Sequence, residues 1–337
     1  MFFSRNKSKL GIDIGTSSIK IAQLKKEDQK YFLETYGIVN VSSQSFSKVD
    51  HDVIVKTGEI LKILLQKSGV TTKRAVASLP NNIVFISVIE MPQLSAKELQ
   101  SAVEWEAKRY VPMPLEEVTL SWSVIKNGNP ESKLKVLITA VPTTVIDNYL
   151  KMFKQAGLEP EALEIEALAL IRSLVGMRQD GFLIIDIGAR NTSLNLVDKG
   201  FLQVSRNLSL GGENITSNIA TSLHVSSARA EEFKKDMGLS GQDGQIPQTI
   251  KPILDAIKNE TEALLSIYES KGGVVQEIIF AGSGSKLPGI LPYFSTIGPK
   301  VQIGDPLRFI SYDQSIQANL SEVASSLSVA LGLAIRE

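Results

Sequence analysis

Apolar residues in this chain follow two periods: alternation over short runs, and steps of three and four over longer ones. Residues 9–24 read as a strand, a tight glycine turn and a second strand, and 30–41 continue the extended pattern. From 52 to 67, Val53, Val55, Ile60, Leu61, Leu64 and Leu65 fit one helical face. A short buried strand at 75–79 is closed by Pro80. A compact unit begins near residue 83. Ser95 and Glu98 have the spacing of a capping box, which predicts a helix from there to about Arg109, ended by Pro112 and Pro114. Strands at 118–125 and 134–141 flank a turn rich in Asn, Gly and Pro, and a helix at 143–156 stops at Gly157. The order strand–helix–strand–strand–helix predicts a small insert at 83–160, packed beside a larger fold.

The second half restarts the opening pattern. Residues 182–197 repeat it and 201–210 extend it. Helices are expected at 226–237, before Gly238, and at 246–270, where Ile250, Ile253, Leu254, Ile257, Leu264, Leu265 and Tyr268 keep helical spacing. A buried strand at 277–281 runs into a glycine turn, and a last apolar helix at 320–335 should pack inside.

The two halves share four residues. Ile12-Asp13-Ile14-Gly15 returns as Ile185-Asp186-Ile187-Gly188, 173 residues later. Two acidic strand ends with glycine hairpins can face each other across a cleft that holds a nucleotide's phosphates. Gly15 allows a turn whose N–H groups point at phosphate oxygens; Thr16, Ser17 and Ser18 add hydroxyls, and Lys20 adds a positive charge. Asp13 and Asp186 would repel phosphate, so they suit the water shell of Mg²⁺. A single Asp-x-Gly is ordinary turn chemistry after a buried strand; the second copy points to a site. A third stretch, Ile278-Ile279-Phe280-Ala281 into Gly282-Ser283-Gly284-Ser285, permits close backbone approach to a ring or sugar.

Composition narrows the chemistry. Lys and Arg number 36 and so do Asp and Glu, giving zero net charge and no global pull toward nucleic acid or an anionic membrane. There is no cysteine, which excludes disulfides, thiolate metal sites and cysteine nucleophiles; His51 and His224 alone do not make a zinc site. They read as surface or capping residues. No run approaches the roughly 18 apolar residues of a membrane span, and Met1-Phe2-Phe3 with Arg5, Lys7 and Lys9 lacks the apolar stretch of a signal peptide. Trp105 and Trp122 read as core or groove-wall residues, and Lys25, Lys26, Glu27, Asp28 and Lys30 as a solvated hairpin tip.

With these motifs the chain resembles the actin-type ATPase superfamily, which includes actin, MreB, FtsA and sugar kinases. Residues 11–23 resemble its first phosphate motif, 183–197 its second and 278–290 its adenosine motif. The stretch Leu210-Gly211-Gly212-Glu213, with Glu231 and Lys234 further on, resembles the part by which FtsA and MreB hold nucleotide sugar and base. Glu166 falls where MreB-like proteins carry a water-orienting glutamate, although a helix-surface glutamate is the simpler account. The resemblance implies an α/β, actin-like (ribonuclease H-like, duplicated) fold with two lobes around a cleft for ATP or ADP with Mg²⁺. Gly188, Asn191 and Thr192 join the implied cofactor contacts, and Asp186 the implied catalytic ones. The insert is of the FtsA type. Its Met91-Pro92 and Tyr110-Val111-Pro112 narrow the resemblance to the PilM family of type IV pilus assembly. The implied division is a first lobe of 1–82, 161–181 and 320–337, the insert 83–160, and a second lobe 182–319 with a helical part at about 225–272.

That resemblance implies a cytoplasmic scaffold, held at the inner membrane by the N-terminal cytoplasmic tail of PilN in a groove beside the insert. Motor ATPases or further copies are possible additional partners, without nucleic acid or direct membrane insertion. Ala189 and Arg190 stand where faster relatives carry glycine, so slow hydrolysis is expected. Three other readings compete with this one. A sugar or metabolite kinase needs a carboxylate base near a hydroxyl, and its candidate, Asp147, lies in the insert. An FtsA-like division protein carries a terminal amphipathic helix, whereas this chain stops at Ile335-Arg336-Glu337. A relic of a dead ATPase would keep the glycine loops for structure alone.

Overall fold

A computed structural model describes residues 8–41, 51–125, 133–240 and 245–336. The leader with Phe2 and Phe3 and the turn at 126–132 lie outside the described residues. The first half opens with β1 (Ser8–Ile14), β2 (Ser18–Glu27) and β3 (Lys30–Asn40), an antiparallel meander. Next come α1 (His51–Lys67), β4 (Arg74–Leu79) parallel to β1, and β5 (Phe85–Met91). The capping box at Ser95 and Glu98 is present at the start of α2 (Ala96–Tyr110). Then follow β6 (Val118–Ile125), β7 (Leu134–Pro142) and α3 (Thr143–Ala156), which ends at Gly157 in the left-handed region. The chain returns to the main sheet with β8 (Glu159–Ile165) and turns into α4 (Glu166–Leu170), continued as a wider helical turn over Ile171–Val175.

The second half repeats the plan with β9 (Phe182–Ile187), β10 (Thr192–Asp198) and β11 (Phe201–Leu208). Helices α5 (Gly212–Leu223), α6 (Ser227–Asp236) and α7 (Gln245–Glu269) follow. Strand β12 (Glu277–Ala281), α8 (Ile290–Phe294) and β13 (Lys300–Ile303) complete this sheet, and β14 (Ile310–Ser311) leaves it. The chain closes with α9 (Gln317–Val323) and α10 (Ser328–Ala334).

The sheets make the duplication explicit. One runs β14-β3-β2-β1-β4-β8 and the other β11-β10-β9-β12-β13, so each half orders its strands third, second, first, fourth, fifth. Strands β1, β4, β9 and β12 carry near-continuous apolar runs because helices cover both of their faces. The insert's own sheet, β5-β7-β6, packs Ile89, Val136 and Ile138 against Leu99 and Val103 of α2.

Three features differ from the sequence reading. Helix α3, grouped with the insert by chain order, buries Tyr149, Met152 and Phe153 in the core under the first sheet, against α1. Strand β14, grouped with the second lobe, pairs with β3 of the first sheet. The last helix is broken: residues 324–327 form a tighter turn between α9 and α10. Ser328 Oγ donates to the Ser325 carbonyl at 2.9 Å, a side-chain bond to backbone that competes with regular helix. Beyond the break α10 crosses α4 closely; a Cβ on Gly332 would stand 2.0 Å from the Ala169 carbonyl oxygen, so only glycine fits.

Candidate functional site

The two hairpins close in the same way. Gly15 N–H donates to the Ser18 carbonyl at 3.0 Å and Gly188 N–H to the Asn191 carbonyl at 2.9 Å. Because β1 and β9 are paired in the same sense, their acidic ends meet in one cleft between the sheets. Asp13, Gly15, Thr16, Ser17, Ser18, Lys20, Glu166, Asp186, Gly188, Asn191, Gly282 and Ser283 all line it. The structure therefore brings both phosphate-motif candidates and the start of the third motif into one place. Glu166, on the connecting helix α4, faces this cleft and not the helix's outer surface.

The cleft is short of positive charge. Lys20 Nζ donates to Asp13 Oδ2 at 3.0 Å, and Ser78 Oγ donates to Asp13 Oδ1 at 2.9 Å. Burial pulls the Lys20 ammonium down, but Asp13, with Asp186 and Glu166 behind it, outweighs burial and holds the group above its ordinary value. Burial raises Asp186 to about 6, and the charge of Asp13 adds to the rise. Glu166 is raised well above the usual carboxylate range by burial, then by Asp13 and Asp186. Three carboxylates thus share one lysine, because Arg190, which also lines the cleft, is paired with Glu213. Among the described residues no cluster of three or more acidic or histidine side chains converges tightly enough to bind a metal directly. A hydrated Mg²⁺ beside Asp13 and Asp186 would take the rest of its shell from water and from the oxygens of a second ligand.

Unpartnered atoms fit such a ligand. Asn81 is 3% exposed, yet neither its amide oxygen nor its amide nitrogen has a partner, and the buried Ser325 hydroxyl is in the same position. Both residues line the cleft. Leaving a buried polar group unsatisfied costs about 1–3 kcal/mol, so these atoms, the three carboxylates, the hydroxyls of Thr16–Ser18 and the single lysine suit a phosphate-bearing ligand with a hydrated divalent cation. Asn81 also ties the halves together. Its N–H donates to Glu166 Oε2 at 3.4 Å and its carbonyl accepts from Asn207 Nδ2 of β11 at 2.9 Å.

The remaining candidates sit around the cleft. Gly212 N–H donates to the Gly188 carbonyl at 3.0 Å, which seats the Gly211-Gly212 start of α5 on the second hairpin. Glu213 lines an adjoining cavity and accepts from Arg190 Nε at 2.9 Å. Lys234 Nζ donates to Glu231 Oε2, Thr216 Oγ1 and the Gly212 carbonyl at 2.5, 2.9 and 3.2 Å. Burial would raise Glu231, but the bonds from Lys234 and Thr216 hold it below its ordinary value. Gly282 has φ +76°, and a Cβ there would lie 2.4 Å from Asp186 Oδ1, which is how the third motif comes so near the second aspartate.

Two candidates have their hydroxyls committed elsewhere. Thr192 Oγ1 donates to the Leu210 carbonyl at 2.7 Å, and Ser285 Oγ donates to the Gly282 carbonyl at 2.7 Å; both residues are fully buried. They shape the loops. Gly284 likewise has its backbone pressed on Ile187. Pro80, Asn81, Asn82, Ser193, Asn207, Ser325, Ser326 and Ser328 line the cleft without having been singled out in the sequence; only the serine cluster carries a pattern that marks it. His224 caps α5 in the left-handed region. Trp122 packs on the insert's core, whereas Trp105 is 62% exposed on α2 and is no core residue.

A family model described as type IV pilus assembly protein PilM matches residues 11–337. The chain belongs to the PilM family. In the solved PilM-PilN type IV pilus biogenesis complex, a chain 27% identical superposes with a TM-score of 0.86, covering 97% of this chain and 98% of that one. The cell division protein FtsA of Streptococcus pneumoniae is 25% identical over 254 residues, 68% of this chain. Those residues are 55% of FtsA, so the chain spans little more than half of this curated relative. MreB 5 of Spiroplasma citri, solved with AMPPNP, superposes with a TM-score of 0.52 at 13% identity over 97% of this chain and 95% of that one. The fold is actin-like. No helix among the described residues is long and apolar enough to cross a membrane.

Proposed function

We propose that this chain is a nucleotide-dependent adaptor of the type IV pilus machinery, binding ATP or ADP with Mg²⁺ between its two halves and recruited by the N-terminal cytoplasmic tail of PilN. The observation that carries the reading is the meeting of Asp13, Lys20, Asp186 and Glu166 with the unpartnered Asn81 and Ser325 in one cleft, in a chain of this family. The two hairpin turns and Lys20 hold the phosphates, Asp13 and Asp186 hold Mg²⁺ through water, and the loops at Gly211–Glu213 and Gly282–Ser283 border the sugar and base. When bound, the ion offsets phosphate charge and the carboxylate crowding together. A ligand touching both hairpins fixes the angle between the halves, and with it the surface offered to partners.

Support for PilN comes from the superposition with the PilM-PilN complex. The tail would lie beside the insert and hold the protein at the cytoplasmic face of the inner membrane, as peptide capture needs no catalytic residue. The test is calorimetry with ATP·Mg²⁺ and, separately, with a synthetic PilN tail. Saturable binding of both, with tail affinity differing between nucleotide-loaded and nucleotide-free protein, is expected. No heat and no thermal shift at saturating ATP·Mg²⁺ would sink the nucleotide half of the reading, and no tail binding in either state would sink the other half.

A further inference from the structure

A separate cavity, of about 770 Å³, lies at the opposite end of the first sheet from the cleft, beside the turn from β2 to β3 and the end of α10. Met177 is 90% exposed and Phe309 45% exposed in its wall. Lys26, Arg172, Arg178, Arg308 and Arg336 surround them, and no carboxylate is among the lining residues. Single exposed apolar side chains are ordinary. Two of them in one concavity with a cationic rim are not.

The wall is pinned. Arg178 donates to the Leu174 carbonyl at 2.9 Å and to Glu277 Oε2 at 3.0 Å, and its guanidinium stands 4.2 Å from the centre of the Phe182 ring. These contacts fix the bend that leaves Met177 in water. The Phe309 ring rests on Gly176, where a Cβ would come within 3.0 Å of it. Arg172 Nε donates to the Gly332 carbonyl at 2.9 Å and its Nη1 to Glu164 Oε1 at 3.0 Å, and Arg336 lies 3.6 Å from that same oxygen. Arg172 and Arg178 are paired with Glu164 and Glu277, whereas Arg308 is exposed on the rim and Arg336 stands beside it.

We propose that this cavity is a docking port for an acidic segment of a partner protein, with an apolar side chain entering between Met177 and Phe309 and carboxylates meeting Arg308 and Arg336. A preformed, largely apolar concavity with a few placed charges suits a side-chain anchor. A bilayer is a poorer fit, because Arg172 and Arg178 are tied back to the wall and do not project to a common plane. A second copy is also a poorer fit. Its exposed Trp105 shares a helical face with Lys108 and Arg109, which would repel the port. No lining residue belongs to 83–141, so the port stays free while a peptide lies beside the insert, and one chain can join two proteins.

The experiment uses the full chain and a fluorescein-labelled Glu-Glu-Leu-Phe-Glu-Glu peptide, followed by anisotropy. Saturable binding is expected, weakened by salt and reduced at least tenfold by Arg308→Glu and by Met177→Ser. Both positions are exposed, and an unchanged melting temperature checks that each variant folds. ATP·Mg²⁺ binding should be unchanged in both, which separates failure here from failure of the cleft. Equal peptide binding by wild type and Arg308→Glu overturns the port. So does binding to phosphatidylglycerol vesicles, or self-association, that Arg308→Glu abolishes while peptide binding is absent.

Discussion

The two acidic hairpins share register and turn closure and differ in charge. In β1–β2, Asp13 stands opposite Lys20; in β9–β10, Asp186 stands opposite Ser193. The first aspartate is therefore neutralised within its own hairpin and bonded by Ser78 as well. The second has no cation across the ladder and is pushed up to about 6. One duplicated motif has become a charge-balanced half that can offer an ammonium to phosphate and an unbalanced half that gains from a cation. The proposed binding chemistry rests on that asymmetry, and each hairpin can be broken separately.

Lys20→Met should have the largest effect. It leaves Asp13 buried without its partner, and breaking a buried pair from one side costs about 3–5 kcal/mol. Urea unfolding without ligand is expected to register a loss of about that size, together with loss of nucleotide binding. A stability change below about 1 kcal/mol would mean that Ser78 and water suffice for Asp13 and that the first hairpin is not charge-balanced by Lys20.

Asp186→Asn should act in the opposite direction on stability. A carboxylate whose folded pKa is raised from 3.8 to about 6 favours the native state fully below about 4, and that contribution is lost as pH rises through about 6. The strain at neutral pH is on the order of 3 kcal/mol. Ligand-free wild type should therefore melt higher at pH 5.5 than at pH 7.5. The variant should be more stable than wild type at pH 7.5 and show less of this dependence, Glu166 keeping the remainder in the same direction. Its thermal response to ATP·Mg²⁺ should vanish. A destabilised variant at pH 7.5 would contradict the asymmetry.

Hydrolysis probes the same asymmetry more gently. Arg190, in the second hairpin, is tied to Glu213 at 2.9 Å, and Glu166 is the one connecting-helix carboxylate facing the cleft. Turnover is expected well below the enzyme median of about 10 per second, and lower again in Glu166→Gln with ATP affinity retained. Phosphate release at the median rate would overturn this expectation.

Sequence pattern reaches some of this site and misses the rest for physical reasons. The hairpins were legible because a repeated Asp-x-Gly after an apolar strand is local chemistry, and the helix ends at Ser95 and Gly157 because caps act over three or four residues. The break at Ser325 was not, since apolar periodicity runs through it and only the serine hydroxyls interrupt the helix. The burial of α3 under the first sheet, and the return of β14 to β3, are tertiary facts without a local signal. Thr192 and Ser285 had the right residue type in the right loop, but their hydroxyls are taken by nearby carbonyls. Asn81 and Asn207 belong to no periodic pattern, and they meet only because the halves face each other.

Asn81 gives the smallest effect and the finest test. Its backbone is held from both sides, by Glu166 and by Asn207, while its side-chain amide is buried in the cleft without a partner. Asn81→Ala removes only the unpartnered group and keeps the backbone bonds. Without ligand the variant should be as stable as wild type or more stable by about 1 kcal/mol, because an unsatisfied amide is no longer buried. With ATP·Mg²⁺ it should bind about tenfold more weakly, the value of one hydrogen bond to a charged group. Calorimetry and urea unfolding on the same sample distinguish the outcomes. Weaker binding at unchanged or higher stability makes the amide a ligand contact shared by the two hairpins. Lower stability at unchanged affinity makes Asn81 a strut between the halves, and the nucleotide then rests on the hairpins alone.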